Sequence, residues 1–182
     1  MRAGIYGITS FVAASILYTQ SAASMPTNAP ESPIQQRIRL GQPSDSMCNF
    51  DFSPVDLCDE KHVRAYAAAI KSNTVNFSDH HTIVLVEERP AYNQVSIVIV
   101  DLKEQLIYPL PVDYFSPAQG PSTLNVPNSS IRFKPGRSTL CLTGDLVAYR
   151  SIRLGEACFT FRSERFTGID TPYTSAGKWQ GH

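Results

Sequence analysis

No sign of charge dominates this chain: Lys plus Arg and Asp plus Glu number 16 each. Without a basic excess there is no electrostatic footprint for a nucleic-acid partner, and without a like-charge run there is no acidic or basic tail. Long hydrophobic runs are also missing. The most apolar stretch, residues 5–18, is interrupted by Thr9, Ser10 and Ser15 and falls short of the roughly 20 residues that span a bilayer. Catalytic signatures are absent too. The chain has no Gly-x-Ser-x-Gly elbow, no Gly-rich phosphate loop, no His-Glu-x-x-His and no Ca²⁺-loop pattern, so no catalytic residue is assigned from motifs and no cofactor is expected. There is no Cys-x-x-Cys either. The four cysteines are separated by nine, 82 and 16 residues, which does not suit a zinc site.

What is present begins with export. Arg2 is the only charge before Glu31, the apolar stretch follows it, and Ser21-Ala22-Ala23-Ser24 provides small residues for cleavage after Ala23 or Ser24. This reads as a signal peptide over 1–24 and implies a periplasmic or secreted protein with no membrane span once the leader is removed. In that setting the even number of cysteines points to disulfides. Four cysteines allow three pairings. The expected one joins Cys48 to Cys58 across a short loop and Cys141 to Cys158 across neighbouring strands.

The remaining pattern implies one domain. Residues 25–46 are rich in Pro, Ser, Gln and Asn and read as a flexible N-terminal arm. Residues 59–72 carry Val63, Tyr66, Ala67 and Ile70 at helical spacing, with Asp59 placed to cap the start and Asn73 to stop it. From Thr82 onward the pattern becomes that of strands. Residues 82–88 and 95–101 are apolar on both faces, as in inner strands covered on each side. Shorter strands are expected over 106–110, 131–134, 138–142, 146–152, 158–162 and 166–169. Turn residues separate them, among them Pro135-Gly136, Thr143-Gly144-Asp145 and Arg153-Leu154-Gly155. The expected fold class is α+β, mainly β: an antiparallel meander over 47–170 with one N-terminal helix packed against it, and a frayed tail over 171–182.

Few residues invite a functional reading. Asp79-His80-His81 could form a metal site or a general base, but neighbours entering a strand point to opposite sides, so a polar turn with one half-buried histidine is the expectation and no metal ligand is assigned. The same alternation makes Glu87-Glu88 a strand-end charge pair. The loop over 111–130 holds four prolines, and loops of that length in small domains are functional or disordered. Tyr114 and Phe115 could anchor a partner from this loop or tuck beneath it. Arg89 and Tyr92 belong to a hairpin loop over 89–94 and are the other candidate partner contacts.

Several short motifs taken together resemble a family of small bacterial periplasmic proteins of unassigned activity. They are Asn76-Phe77 with His80-His81, Val98-Ile99-Val100-Asp101-Leu102, Tyr108-Pro109-Leu110-Pro111, Ser138-Thr139-Leu140-Cys141-Leu142 and Cys158-Phe159-Thr160-Phe161, within residues 76–169. The first hairpin departs from that family, which tends to carry Trp-Gly-Cys-Gly where this chain has Glu87-Glu88-Arg89-Pro90-Ala91-Tyr92. The resemblance implies a periplasmic β domain and no mechanism. With export, disulfides and no catalytic set, the expected function is a non-enzymatic binding protein, such as an inhibitor or immunity protein against a toxin. An enzyme or metal-binding protein using Asp79, His80 and His81 is the alternative.

Overall fold

A computed structural model describes residues 37–41, 48–117 and 130–174. The expected signal peptide, most of the arm, residues 118–129 of the long loop and the tail beyond Thr174 lie outside the described residues. The architecture is mainly antiparallel β with one α-helix among the described residues. The strands are β1 (Ile38–Arg39), β2 (His81–Arg89), β3 (Gln94–Asp101), β4 (Leu106–Pro109), β5 (Tyr114–Pro117), β6 (Ile131–Arg132), β7 (Thr139–Ala148), β8 (Ser151–Arg153), β9 (Glu156–Arg162) and β10 (Arg165–Thr167). The helix α1 (Glu60–Ser72) precedes β2, and a 3₁₀ turn (Pro90–Tyr92) joins β2 to β3.

β3 is the centre of the sheet. It pairs with β2 on one side, and with β4 and β5 on the other. Its alternate side chains feed two cores. Val95, Ile97 and Ile99 join Phe115, Leu140, Leu142, Phe159 and Phe161 on one face. Val98 and Val100 join Val55, Leu57, Tyr66 and Ile107 on the other, beneath the helix. A strand covered on both sides needs apolar residues at every position, which accounts for the run Val98-Ile99-Val100.

The helix is capped as its ends dictate. The Asp59 carboxylate accepts from the His62 amide, and Asn73 closes the other end in a left-handed conformation. Its buried face, however, is rotated from the expected stripe. Val63 and Ala67 face water, while His62 and Tyr66 are buried and Ile70 is half-buried. The buried face includes the polar His62, which an apolar period does not mark.

Three other expectations change. The Thr143-Gly144-Asp145 segment is no turn: β7 runs through it for ten residues. Gly144, with φ of 153°, lies where the strand passes from pairing with β9 to pairing with β5, and a glycine inside a strand permits such a bend. The start of the long loop is part of the sheet. Residues 106–117 follow β3 as β4 and then β5, interrupted around Pro111, which has no amide to give the ladder. The end of the arm is also ordered into the sheet, since Ile38 pairs with Ile107 and is buried.

Both disulfides join the expected partners, Cys48 with Cys58 and Cys141 with Cys158. Cys141 and Cys158 are directly opposite on β7 and β9, on the face away from Leu140, Leu142 and Phe159. Loops of this size, closed in the unfolded chain, correspond to about 3 kcal/mol of stabilisation. Replacing Cys141 and Cys158 together by serine is expected to lower the unfolding free energy by about that amount in urea titrations of the oxidised proteins; an unchanged midpoint would show that the bridge constrains nothing.

Candidate functional site

Three polar or apolar clusters stand out, and the first two depend on how β2 and β3 place their side chains. The first lies between the helix and the sheet. Ser96 and Glu88 both project toward α1, where His62 meets them. His62 Nδ1 is 2.8 Å from Asp59 Oδ1, and its Nε2 is 3.0 Å from Ser96 Oγ and 2.8 Å from Glu88 Oε1. Lys61 Nζ bonds the other Glu88 oxygen at 2.5 Å. Asp59, His62 and Ser96 are therefore ordered like an acid–base–nucleophile relay, but Ser96 is 2% exposed and His62 fully buried, so no acyl group reaches the hydroxyl. Glu87 and Glu88 point to opposite sides, as strand alternation leads one to expect: Glu87 faces solvent and Glu88 turns inward to the helix.

The charges of this cluster support one another. Burial alone pulls the His62 pKa down, yet the carboxylates of Glu88 and Asp59 outweigh it and hold the imidazole above its usual value. Burial would raise Glu88, but His62, Lys61 and Ser96 outweigh that and hold it below the ordinary carboxylate range. The stabilising effect of the Glu88 shift is present above its unfolded value of 4.5 and disappears as pH falls through the lower folded value. That of His62 is complete below 6.5 and disappears as pH rises through the higher folded value.

The second cluster is at the other end of the same strands. Ser78 to His81 form a tight turn, with the His81 amide bonding the Ser78 carbonyl at 2.8 Å and Asp79 at φ 43°. His80 lies in this turn and only His81 enters β2, so strand alternation does not separate them. Their rings stack with centroids 4.5 Å apart, and both face Asp101 at the end of β3. His80 Nε2 is 3.0 Å and His81 Nε2 3.7 Å from the same Asp101 oxygen, Oδ2. The expectation that the two imidazoles diverge is thus corrected by the turn. Asp79 is exposed and outside the cluster, which Asp101 completes instead. The other Asp101 oxygen accepts from the Lys103 and Glu104 amides, both at 2.8 Å. His81 Nδ1 lies 3.0 Å from the Ser78 carbonyl oxygen, and burial holds the His81 pKa below its usual value.

The third cluster is an apolar pole around the β7–β8 turn. Buried Asp113 organises it. Its Oδ1 accepts from Ser53 Oγ at 2.5 Å and Tyr173 Oη at 2.8 Å, and its Oδ2 from the Tyr149 amide at 2.7 Å. One carboxylate thereby ties the disulfide loop, the β7–β8 turn and the chain near Tyr173 together. Large apolar side chains remain outside: Phe52 is 82%, Ile152 65% and Leu154 71% exposed. Phe52 and Tyr149 have ring centroids 5.5 Å apart. A groove of about 400 Å³ opens here, lined by Val112, Leu146, Ala148, Ile152, Leu154 and Ile169 among others.

The partner contacts expected from sequence separate into two kinds. Tyr114 and Phe115 are buried in β5, so they hold the segment onto the sheet and are withdrawn from the surface. Arg89 is spent in part over the Tyr114 ring, 4.8 Å from its centroid. Tyr92, at the hairpin tip, is the one of the four that stands well clear of the surface. The apolar pole escaped the sequence reading because Ile152 looks like an ordinary strand residue, exposed only by the edge position of β8, and Leu154 like part of a turn. His62 escaped it because nothing in a single helical histidine marks two carboxylates opposite.

No family model, no curated protein and no solved structure matches this chain. The likeness to small periplasmic proteins is therefore carried no further. Among the described residues no helix is long and apolar enough to cross a membrane.

The charge cluster under α1 predicts a particular pH profile. The stability difference between wild type and His62→Gln, measured by urea unfolding, should be largest between about pH 4.5 and 6.5 and shrink toward pH 9. His81 acts in the opposite sense, its lowered pKa costing stability as pH falls, but it is common to both proteins and cancels. A difference that stays flat or grows above pH 6.5 would mean that the buried imidazole is neutral.

Proposed function

We propose that this chain is an exported binding protein that grips another protein at the apolar pole, with an inhibitor or immunity protein against a toxin as the concrete form. The observation that carries this reading is the exposure of Ile152 and Leu154 in the wall of the groove, with exposed Phe52 against Tyr149 at the adjoining β7–β8 turn. Exposed apolar groups gathered in one place and rimmed by charge, here Arg150, Arg153 and Asp170, mark interaction surfaces. The occupant that fits is an extended protein segment. β8 pairs only with β7 among the described residues, so its outer edge can accept a further strand. A groove of about 400 Å³ takes one or two apolar side chains from that strand. The two disulfides suit an oxidising compartment, and the periplasm is the compartment we propose.

The experiment replaces Phe52, Ile152 and Leu154 together by serine. Being exposed, these positions should tolerate the change with an unaltered thermal midpoint. Wild type used as bait in periplasmic extract should retain a specific protein that the triple variant loses, while Tyr92→Ala retains it. Equal recovery by wild type and triple variant would remove the apolar pole as the contact, and loss on Tyr92→Ala alone would move the contact to the β2–β3 hairpin.

A further inference from the structure

We propose that His80, His81 and Asp101 together hold one divalent transition-metal ion, with zinc as the reference case. Three ligand atoms from these residues lie within 4.8 Å of one another. In a tetrahedral zinc site with bonds of about 2.0–2.1 Å, neighbouring ligand atoms are about 3.3 Å apart. The distances from Asp101 Oδ2 to the two Nε2 atoms, 3.0 and 3.7 Å, bracket that value.

The surrounding contacts orient the ligands toward a common point. The Ser78 carbonyl can only accept, so at 3.0 Å it places the His81 proton on Nδ1 and leaves Nε2 directed at Asp101. This is the arrangement in which metal-binding histidines are held, the far ring nitrogen donating to a carbonyl. The separation of His81 Nε2 from Oδ2, 3.7 Å, is too long for a hydrogen bond. On the carboxylate, the Lys103 and Glu104 amides occupy Oδ1 and turn Oδ2 inward.

Asp101 supplies an independent reason. Its carboxylate is buried, and among the described residues no lysine or arginine forms an ion pair with it. Its Oδ2 has the His80 Nε2 at 3.0 Å as its hydrogen-bond partner, and a metal between it and two neutral imidazoles would put a full compensating charge in place of that contact. Two nitrogens and one oxygen form a borderline donor set suited to zinc and its neighbours and not to calcium. His80, with its side chain 43% exposed, supplies the route in and leaves a coordination position facing water. The cysteines cannot compete as ligands, since all four are in disulfides.

The test uses the oxidised full chain after chelator treatment, titrated with zinc chloride alone and followed by calorimetry, with cobalt(II) absorption as a second readout. One ion per chain is expected, together with visible cobalt bands of a low-coordinate site. His80→Ala, at an exposed position, should weaken zinc binding at least tenfold and remove the cobalt bands while leaving the circular dichroism spectrum unchanged. Asp101→Asn should weaken it similarly. His182→Ala should bind as wild type does. Absence of zinc uptake by wild type, equal affinity in His80→Ala, or loss of uptake in His182→Ala alone would each overturn the assignment.

Discussion

Past its first residue, nothing on β3 can turn to water. Val95 through Asp101 are buried, with one core on each face, so every polar group the strand carries must find a partner inside the protein. It carries two. Ser96 meets the His62–Glu88 cluster under the helix, and Asp101 meets the His80–His81 turn at the strand's end. Both of these polar arrangements thus follow from a single constraint, the two-sided covering of the central strand.

That constraint also explains why the helix packs as it does. A wholly apolar face on α1 would take from Ser96 and Glu88 the imidazole that both of them meet. By presenting His62, the helix satisfies both and gains the charged contact of Lys61 at the edge. Such a cluster is weak evidence for net stability, because desolvating the charges offsets much of their attraction. Its clearer effect is on placement: the helix has one rotation in which His62, Glu88 and Ser96 coincide, and Asp59 serves at once as its cap and as the second carboxylate on His62.

Much of the scaffold was legible in the sequence. The β2–β3 hairpin, the helix with its Asp59 and Asn73 ends, and both disulfide pairings follow from alternation, capping and spacing, which are local rules. What was not legible depends on residues far apart in the chain. Gly144 looks like a turn residue, and only the change of partner from β9 to β5 makes it a bend within one strand. Tyr114 and Phe115 sit in a proline-rich stretch that reads as a loop, yet β3 and β7 on either side draw them into the sheet. Of the candidate site, His80 and His81 were visible but their convergence was not, because the turn that gathers them and the distant Asp101 belong to no short motif. Ile152 gave no signal, since exposure of an edge strand is decided by what pairs with it, and Leu154 looks like part of a turn.

Consider finally the length of β7. Its first half pairs with β6 and β9, its second with β5 and β8, and the backbone passes between the two sets without a break. Among the described residues the two sets of strands are thus joined through one shared beam, and the Cys141–Cys158 bridge prevents its first half from sliding past β9. Its response to load would be that of a stiff bracket, with the apolar pole at one end of the beam carried as a fixed fitting and not as a moving jaw.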